Sequence, residues 1–144
     1  MALRRGGYLH DLGKIAVPDE ILGKGSNLSP REWEVMKLHP ITGENICKPL
    51  KSLRRVLPII RSHHEHCDGS GYPDGLKKDE IPLLPRILQV VDVYDALRTA
   101  RPYKAALHHE QAAITMLSEA RAGLWDEDLV VEFLGMLQQQ SQVA

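Results

Sequence analysis

His63-His64-Glu65-His66-Cys67-Asp68-Gly69-Ser70-Gly71-Tyr72-Pro73 is the stretch on which the reading of this chain turns. An adjacent histidine pair opens it and a glycine-rich turn ending in Tyr-Pro closes it. Upstream, Leu53, Val56, Leu57 and Ile60 form a 3,4-spaced apolar stripe whose next members are His63 and His64. That periodicity predicts a buried helix face with the imidazoles at its end. Two neighbouring imidazoles repel each other if both are protonated, and metal binding removes the conflict by holding both neutral. Downstream, the glycines and prolines of residues 68–85 forbid a regular element and predict a long functional loop.

Further candidates lie on either side. Residues 2–12 read as the end of a helix with Leu3, Tyr8 and Leu9 on its buried face, weakened by Gly6-Gly7, and His10-Asp11 fall near its C-terminal end. At Ser29-Pro30-Arg31-Glu32 a Ser N-cap, a Pro at the first helical position and a Glu closing a capping box mark a helix start. Met36 and His39 follow on that helix, which Pro40 is expected to interrupt. Leu84, Ile87, Leu88, Val91 and Ala96 mark another helix carrying Asp92 and Asp95. Asp92 interrupts an apolar run, and a buried carboxylate needs a cation or several donors. Residues 108–122 and 126–138 predict two more amphipathic helices, with His108 and His109 solvated and Gln138 to Ala144 a frayed polar tail. No alternating strand pattern and no internal repeat is present, so the fold class is all-α, with one domain over residues 1–137.

Taken singly these residues mean little. A lone histidine near a helix end is more often a cap or a packed side chain than a ligand, and a His-Asp pair is common by chance. Jointly, His10, Asp11, His39, His63, His64 and Asp92 offer the imidazole and carboxylate donors that suit iron, manganese or zinc, and a carboxylate such as Asp11 can bridge two ions. Paired ions about 3.5–4 Å apart are the usual apparatus for hydrolysing phosphate esters.

Composition narrows the field. The 144 residues suffice for one core and not for two ordinary domains. Hydrophobic residues at 43% and charged residues at 26% are those of a globular chain. The formal net charge of −1 argues against DNA or RNA as partner but not against a small phosphate ligand met by local cations. Cys47 and Cys67 stand far apart with no CxxC pair, as expected of reduced thiols in the cytoplasm. The N-terminus lacks a signal-peptide pattern, and no apolar run approaches the roughly 18 residues of a membrane span. A cytoplasmic address with no membrane contact is the expectation.

His10-Asp11-Leu12-Gly13-Lys14, His63-His64-Glu65, Asp68-Gly69-Ser70-Gly71-Tyr72-Pro73-Asp74-Gly75-Leu76, Ile81-Pro82-Leu83, Asp92-Val93-Tyr94-Asp95-Ala96-Leu97 and Arg101-Pro102-Tyr103-Lys104 together resemble the signature of the HD-GYP family. That family is a bacterial branch of the HD superfamily whose members hydrolyse cyclic di-GMP. The resemblance runs through about residues 2 to 135 and implies an HD-domain-like helical bundle with a long GYP loop. It implies two or more divalent transition metal ions, iron or manganese first, held by His10, Asp11, His39, His63, His64 and Asp92, with Asp11 bridging. It assigns Lys14 to the scissile phosphate, Arg101 and Lys104 to the ligand's phosphates, and Tyr72 to the loop that faces the ligand. The implied reaction opens cyclic di-GMP to pGpG and/or GMP, with Asp11 and Lys14 as the catalytic pair.

The chain also departs from the family. His66-Cys67 stand where the family has an Arg and an aromatic, and Trp125 and Glu127 replace a Phe and a Pro. Family members carry a further metal ligand on a helix upstream of the HD pair, whereas this sequence starts nine residues before His10. The expectation is therefore a domain lacking its first helices, with apolar surface left uncovered and a tendency to form homo-oligomers. A second reading stays open beside the enzyme: a non-catalytic domain that binds cyclic di-GMP or a GGDEF partner through the GYP loop.

Overall fold

A computed structural model describes residues 1–25, 27–100 and 105–143. Its helices are α1 (Ala2–Leu9), α2 (Asp19–Leu22), α3 (Pro30–Met36), α4 (His39–Cys47), α5 (Leu57–Ser62), α6 (Leu83–Arg98), α7 (His109–Arg121) and α8 (Glu127–Val143). Short 3-10 turns at Leu12–Ala16, Lys51–Leu53 and Lys78–Glu80 join them. Among the described residues the only β feature is an isolated antiparallel bridge between Asp68 and Lys77. The fold is all-α.

Two apolar centres hold the helices. In the first, Cys47, Val56 and Ile60 are buried with Leu9, Leu12, Leu53 and Leu57 packed around them, drawing α1, α4 and α5 together. In the second, Val90 of α6, Met116 and Ala120 of α7, and Val130 and Leu134 of α8 are buried against Val93, Tyr94, Leu97 and Phe133. Leu53, Val56, Leu57 and Ile60 thus pack together as their spacing predicts, although the helix itself covers only Leu57–Ser62 and Leu53 lies in a 3-10 turn before it; removal of this apolar area from water is the main driving force.

Four local readings are corrected. Pro40 does not end a helix but helps start one, since α3 stops at Met36 and α4 opens at His39 with Pro40 in its first turn; a missing N–H costs nothing there. Tyr8 is exposed rather than part of a buried face. His109 is half-buried, and its Nδ1 lies 2.8 Å from the Tyr94 hydroxyl, so it is packed rather than solvated. The backbone of α8 also runs past residue 137 to Val143, Gln138 to Gln140 being good helix formers.

The Leu12–Ala16 turn lies directly on α4, and Gly13 makes that approach possible. A Cβ at Gly13 would sit 1.9 Å from the His39 carbonyl oxygen and 2.6 Å from the Gly43 nitrogen. Gly6 of α1 is similar: a Cβ there would fall 2.6 Å from Ile59 Cγ2. The glycine that weakens α1 as an isolated helix is what lets it close on α5.

Gly13→Ala is therefore expected to destabilise the fold by about 3 kcal/mol, the upper range for overpacking where backbone has to move. Urea denaturation checks this, and a change below about 0.5 kcal/mol would show that the turn can lift off α4 freely.

Candidate metal centre

Three helix ends converge to make the site. The last carbonyls of a helix have no partner inside it, and here imidazoles fill part of that need. His10 follows α1 and places Nδ1 2.8 Å from the Gly7 oxygen. His39 places Nδ1 2.8 Å from the Met36 oxygen at the end of α3. His63, just past α5, places Nδ1 2.8 Å from the Ile60 oxygen. A carbonyl only accepts, so each Nδ1 carries the proton. The Nε2 atoms of these rings are then bare lone pairs when the rings are neutral.

Those lone pairs meet. His39 Nε2 and His63 Nε2 lie 3.2 Å apart in the buried interior. Asp11 Oδ1 stands 3.3 Å from His39 Nε2 and 3.7 Å from His63 Nε2. That oxygen is buried and makes no hydrogen bond of acceptable geometry. A desolvated carboxylate oxygen beside two imidazole lone pairs is repulsive unless a cation sits among them. Asp11, His39, His63 and His64 each offer a donor atom, all within 4.8 Å of one another, and they could hold a metal ion.

Electrostatics favour the same reading. Burial pushes the His63 imidazolium down, and burial with His63 and His39 nearby pushes His64 down to about 2. Both rings are therefore neutral at physiological pH, as metal ligands must be. Burial raises the Asp11 carboxyl, but the Lys14 ammonium on its Oδ2 favours the anion, and the carboxyl stays well below the usual carboxylate range. Anionic oxygen and neutral nitrogens form a donor set suited to a divalent cation.

Around this core lie the remaining predicted residues. His10 Nε2 is 3.6 Å from Asp11 Oδ2 and 3.9 Å from Asp92 Oδ1 of α6. Lys14 Nζ is 2.6 Å from Asp11 Oδ2. The two Asp11 oxygens thus face different groups, Oδ1 toward His39 and His63, Oδ2 toward His10 and Lys14. Tyr72 stacks on His64, with ring centroids 4.8 Å apart and planes at 24°. Its hydroxyl is pushed up by burial and by the Asp11 and Asp92 carboxylates, so it stays protonated. Arg101 and Lys104 lie outside the described residues. Cys67, whose thiol burial pushes up, is not among the clustered donors.

The loop that carries Tyr72 is fixed by side chains whose clamping role the sequence did not reveal. Glu65 is fully buried, and its two oxygens accept from the Asp74 and Leu76 amides at 2.7 and 2.8 Å. Gln89 of α6 donates to the Glu65 and Ser62 carbonyls. Arg61 of α5 holds Asp74 through two bonds of 2.7 and 2.8 Å and reaches Glu44 of α4 at 2.6 Å. Gly71 is required where the loop crosses its own root, since a Cβ would come within 2.2 Å of the His66 nitrogen. The far end is tied by Asp126, buried between Lys78 at 3.1 Å and Arg86 at 2.6 Å. The Glu of His63-His64-Glu65 was legible as motif; its use as a backbone clamp needed coordinates.

A helical bundle thus collects imidazoles and a carboxylate at converging helix ends, with a lysine on the carboxylate and a clamped loop beside it, a set of donors that could hold a metal ion. The HD domain family model matches residues 1–129, and the chain belongs to that family. It is 43% identical over 137 residues to the cyclic di-GMP phosphodiesterase response regulator RpfG of Xanthomonas campestris pv. campestris, covering 94% of this chain and 36% of that protein. It is 40% identical over 114 residues to 3'3'-cGAMP-specific phosphodiesterase 3 of Vibrio cholerae, covering 79% of this chain and 25% of that protein. Among solved structures it resembles Bd1817, a HDG"Y"P protein from Bdellovibrio bacteriovorus, with a TM-score of 0.72, 25% identity, and 95% of this chain matched to 43% of that one. The chain thus spans about a third or less of these curated relatives. No helix among the described residues is long and apolar enough to cross a membrane.

Glu65→Gln is expected to loosen the loop. One amide oxygen cannot replace two carboxylate oxygens, so a buried N–H loses its acceptor at a cost of about 1–3 kcal/mol. Hydrogen exchange at the Asp74 and Leu76 amides should accelerate in step; unchanged exchange would show that the clamp is not what holds the loop.

Proposed function

We propose that this chain is the catalytic domain of a metal-dependent phosphodiesterase that hydrolyses cyclic di-GMP to pGpG and/or GMP. The observation that carries the reading is the buried meeting of Asp11 Oδ1 with the Nε2 atoms of His39 and His63, which a bound cation reconciles, with Lys14 at its edge. The similarity to named cyclic dinucleotide phosphodiesterases supports the substrate class.

In this reading His39, His63, His64 and Asp11 would hold a metal ion, and His10 and Asp92, beside Asp11, would offer donors for a further one. Iron or manganese suits a donor set that mixes nitrogen and oxygen without thiolate. Bound metal supplies Lewis-acid polarisation of the phosphate and activation of water. The side chains do the rest. The Nδ1–H bonds to Gly7, Met36 and Ile60 keep the imidazoles in one tautomer and one orientation. Lys14 brings positive charge to the non-bridging oxygens, where charge grows in the transition state. Tyr72, a protonated phenol on a clamped loop, donates to the ligand and screens His64 from solvent. Arg101 and Lys104, assigned by resemblance, bind the second phosphate.

A second substrate has its own support, since three relatives from Vibrio cholerae are named 3'3'-cGAMP-specific phosphodiesterases. Ligand binding without turnover, with a GGDEF domain as protein partner of the loop, is the non-catalytic counterpart.

The test is reconstitution with iron or manganese, metal analysis, and chromatography of products from cyclic di-GMP and 3'3'-cGAMP. Lys14→Ala should retain metal yet lose about 3 kcal/mol of transition-state stabilisation, roughly a hundredfold or more in rate. His63→Ala should lose metal and activity together. A protein that takes up no metal defeats the proposal. Metal uptake with cyclic di-GMP binding but no product would select the non-catalytic reading.

A further inference from the structure

Two tryptophans occur in this chain, and they are used differently. Trp125 is half-buried; its Nε1 donates to Glu119 Oε2 at 2.9 Å and its ring meets His66 edge-on at 5.0 Å. It is a packed side chain. Trp33 of α3 is 44% exposed. No hydrogen bond from its indole nitrogen is present among the described residues. Exposing so large an aromatic surface forgoes the stabilisation that burial would give.

Its place is specific. Trp33 lies edge-on to Tyr72, centroids 5.8 Å apart and planes at 79°. Tyr72 in turn stacks on His64, one of the clustered donors. An aromatic series therefore runs from the metal cluster to the surface and ends in an uncovered indole.

The helix that carries Trp33 is fixed at both ends. Ser29 and Glu32 close a capping box, with Glu32 Oε2 accepting from the Ser29 amide at 2.8 Å, and Lys24 bonds Glu32 at 2.5 Å. At the other end the Met36 carbonyl accepts from His39 Nδ1 at 2.8 Å. The same short helix thus orients a metal-site imidazole and presents the indole, so the distance between them is set by rigid backbone. A stacking platform held in this way costs little entropy on binding.

We propose that Trp33 is a nucleobase-stacking residue, and that its exposed indole receives a purine base of the cyclic dinucleotide while the phosphates lie over the metal cluster. This rests on the phosphodiesterase reading above. Stacking uses the π-face that every base has, so Trp33 contributes affinity without choosing between guanine and adenine. Cyclic di-GMP and 3'3'-cGAMP should depend on it equally. Its role is binding; it touches no reacting atom.

The experiment is a titration of the metal-loaded protein with cyclic di-GMP, reading tryptophan emission and, in parallel, heat of binding. Wild-type emission should be quenched on binding. In Trp33→Phe, where only Trp125 emits, quenching should vanish while the heat of binding persists, because phenylalanine still stacks. Trp33→Leu should weaken both dinucleotides by a similar factor, roughly tenfold to a hundredfold. Ribose 5-phosphate, which has no base, should leave wild-type emission unchanged. Calorimetric binding with unaltered wild-type emission, or with undiminished affinity in Trp33→Leu, would overturn the stacking role and leave the phosphodiesterase reading intact. Absence of both binding and turnover in the metal-loaded wild type would overturn the two together.

Discussion

Three imidazoles in this protein give their Nδ1 protons to carbonyls three residues earlier, and that bond decides what the opposite nitrogen can do. Once Nδ1–H is committed to the backbone, Nε2 of a neutral ring can only accept. The structure then brings those acceptors together, at 3.2 Å between His39 and His63, beside a carboxylate oxygen that has no donor of its own. Protonating the rings would relieve the repulsion but is opposed by burial, which pushes His63 and His64 down. A divalent cation relieves it without adding charge to the rings. The rest of the architecture follows from that demand. Helix ends have to converge, and the chain has to pack closely enough for them to do so.

Close packing explains features that look unfavourable locally. Gly6 and Gly13 lower helix propensity, yet each marks a point where two backbones approach nearer than a Cβ allows. Gly13 sets the Leu12–Ala16 turn against the carbonyl of His39 itself. The turn that supplies Asp11 and Lys14 is thereby registered against the helix that supplies His39. Local propensity is given up where the site needs proximity, the usual pattern when functional and local preferences conflict.

Much of this was legible beforehand, for identifiable reasons. The stripe from Leu53 to Ile60 foretells the buried helix, and its phase foretells where His63 falls. Ser29-Pro30-Arg31-Glu32 foretells the start of α3, since capping chemistry is local. Six His and Asp residues were selected by residue type and motif; the fold clusters the donor atoms of Asp11, His39, His63 and His64, with His10 beside Asp11 and Asp92 more exposed at the edge. What could not be read was pairing between distant segments. Glu65 accepting from Asp74 and Leu76, Arg61 spanning Glu44 and Asp74, and Asp126 between Lys78 and Arg86 have no periodic signature. Pro40 misled because the same ring that ends one helix suits the first turn of another, and only the break after Met36 decides between them. The histidines posed a false choice. A histidine that caps a helix end and one that offers a donor to the cluster are the same residue at 39 and 63, one nitrogen serving each role.

The way the loop is anchored also accounts for how this chain differs from the family it resembles. Glu65 grips backbone amides at positions 74 and 76, and Cys67 engages Leu124 and Lys78 through its own main-chain groups, at 3.0 and 3.1 Å. Bonds of that kind do not depend on which side chain occupies the anchored position. His66 and Cys67 can therefore replace an arginine and an aromatic without freeing the loop, provided each finds a local partner. His66 does so with the Ser70 hydroxyl at 2.9 Å and the Trp125 ring. Glycine at 71 has no such latitude, because there it is the main chain itself that fills the space. Variation is tolerated where the loop is held by its backbone and is confined where backbone presses on backbone, and Tyr72 keeps its place over His64 under both conditions.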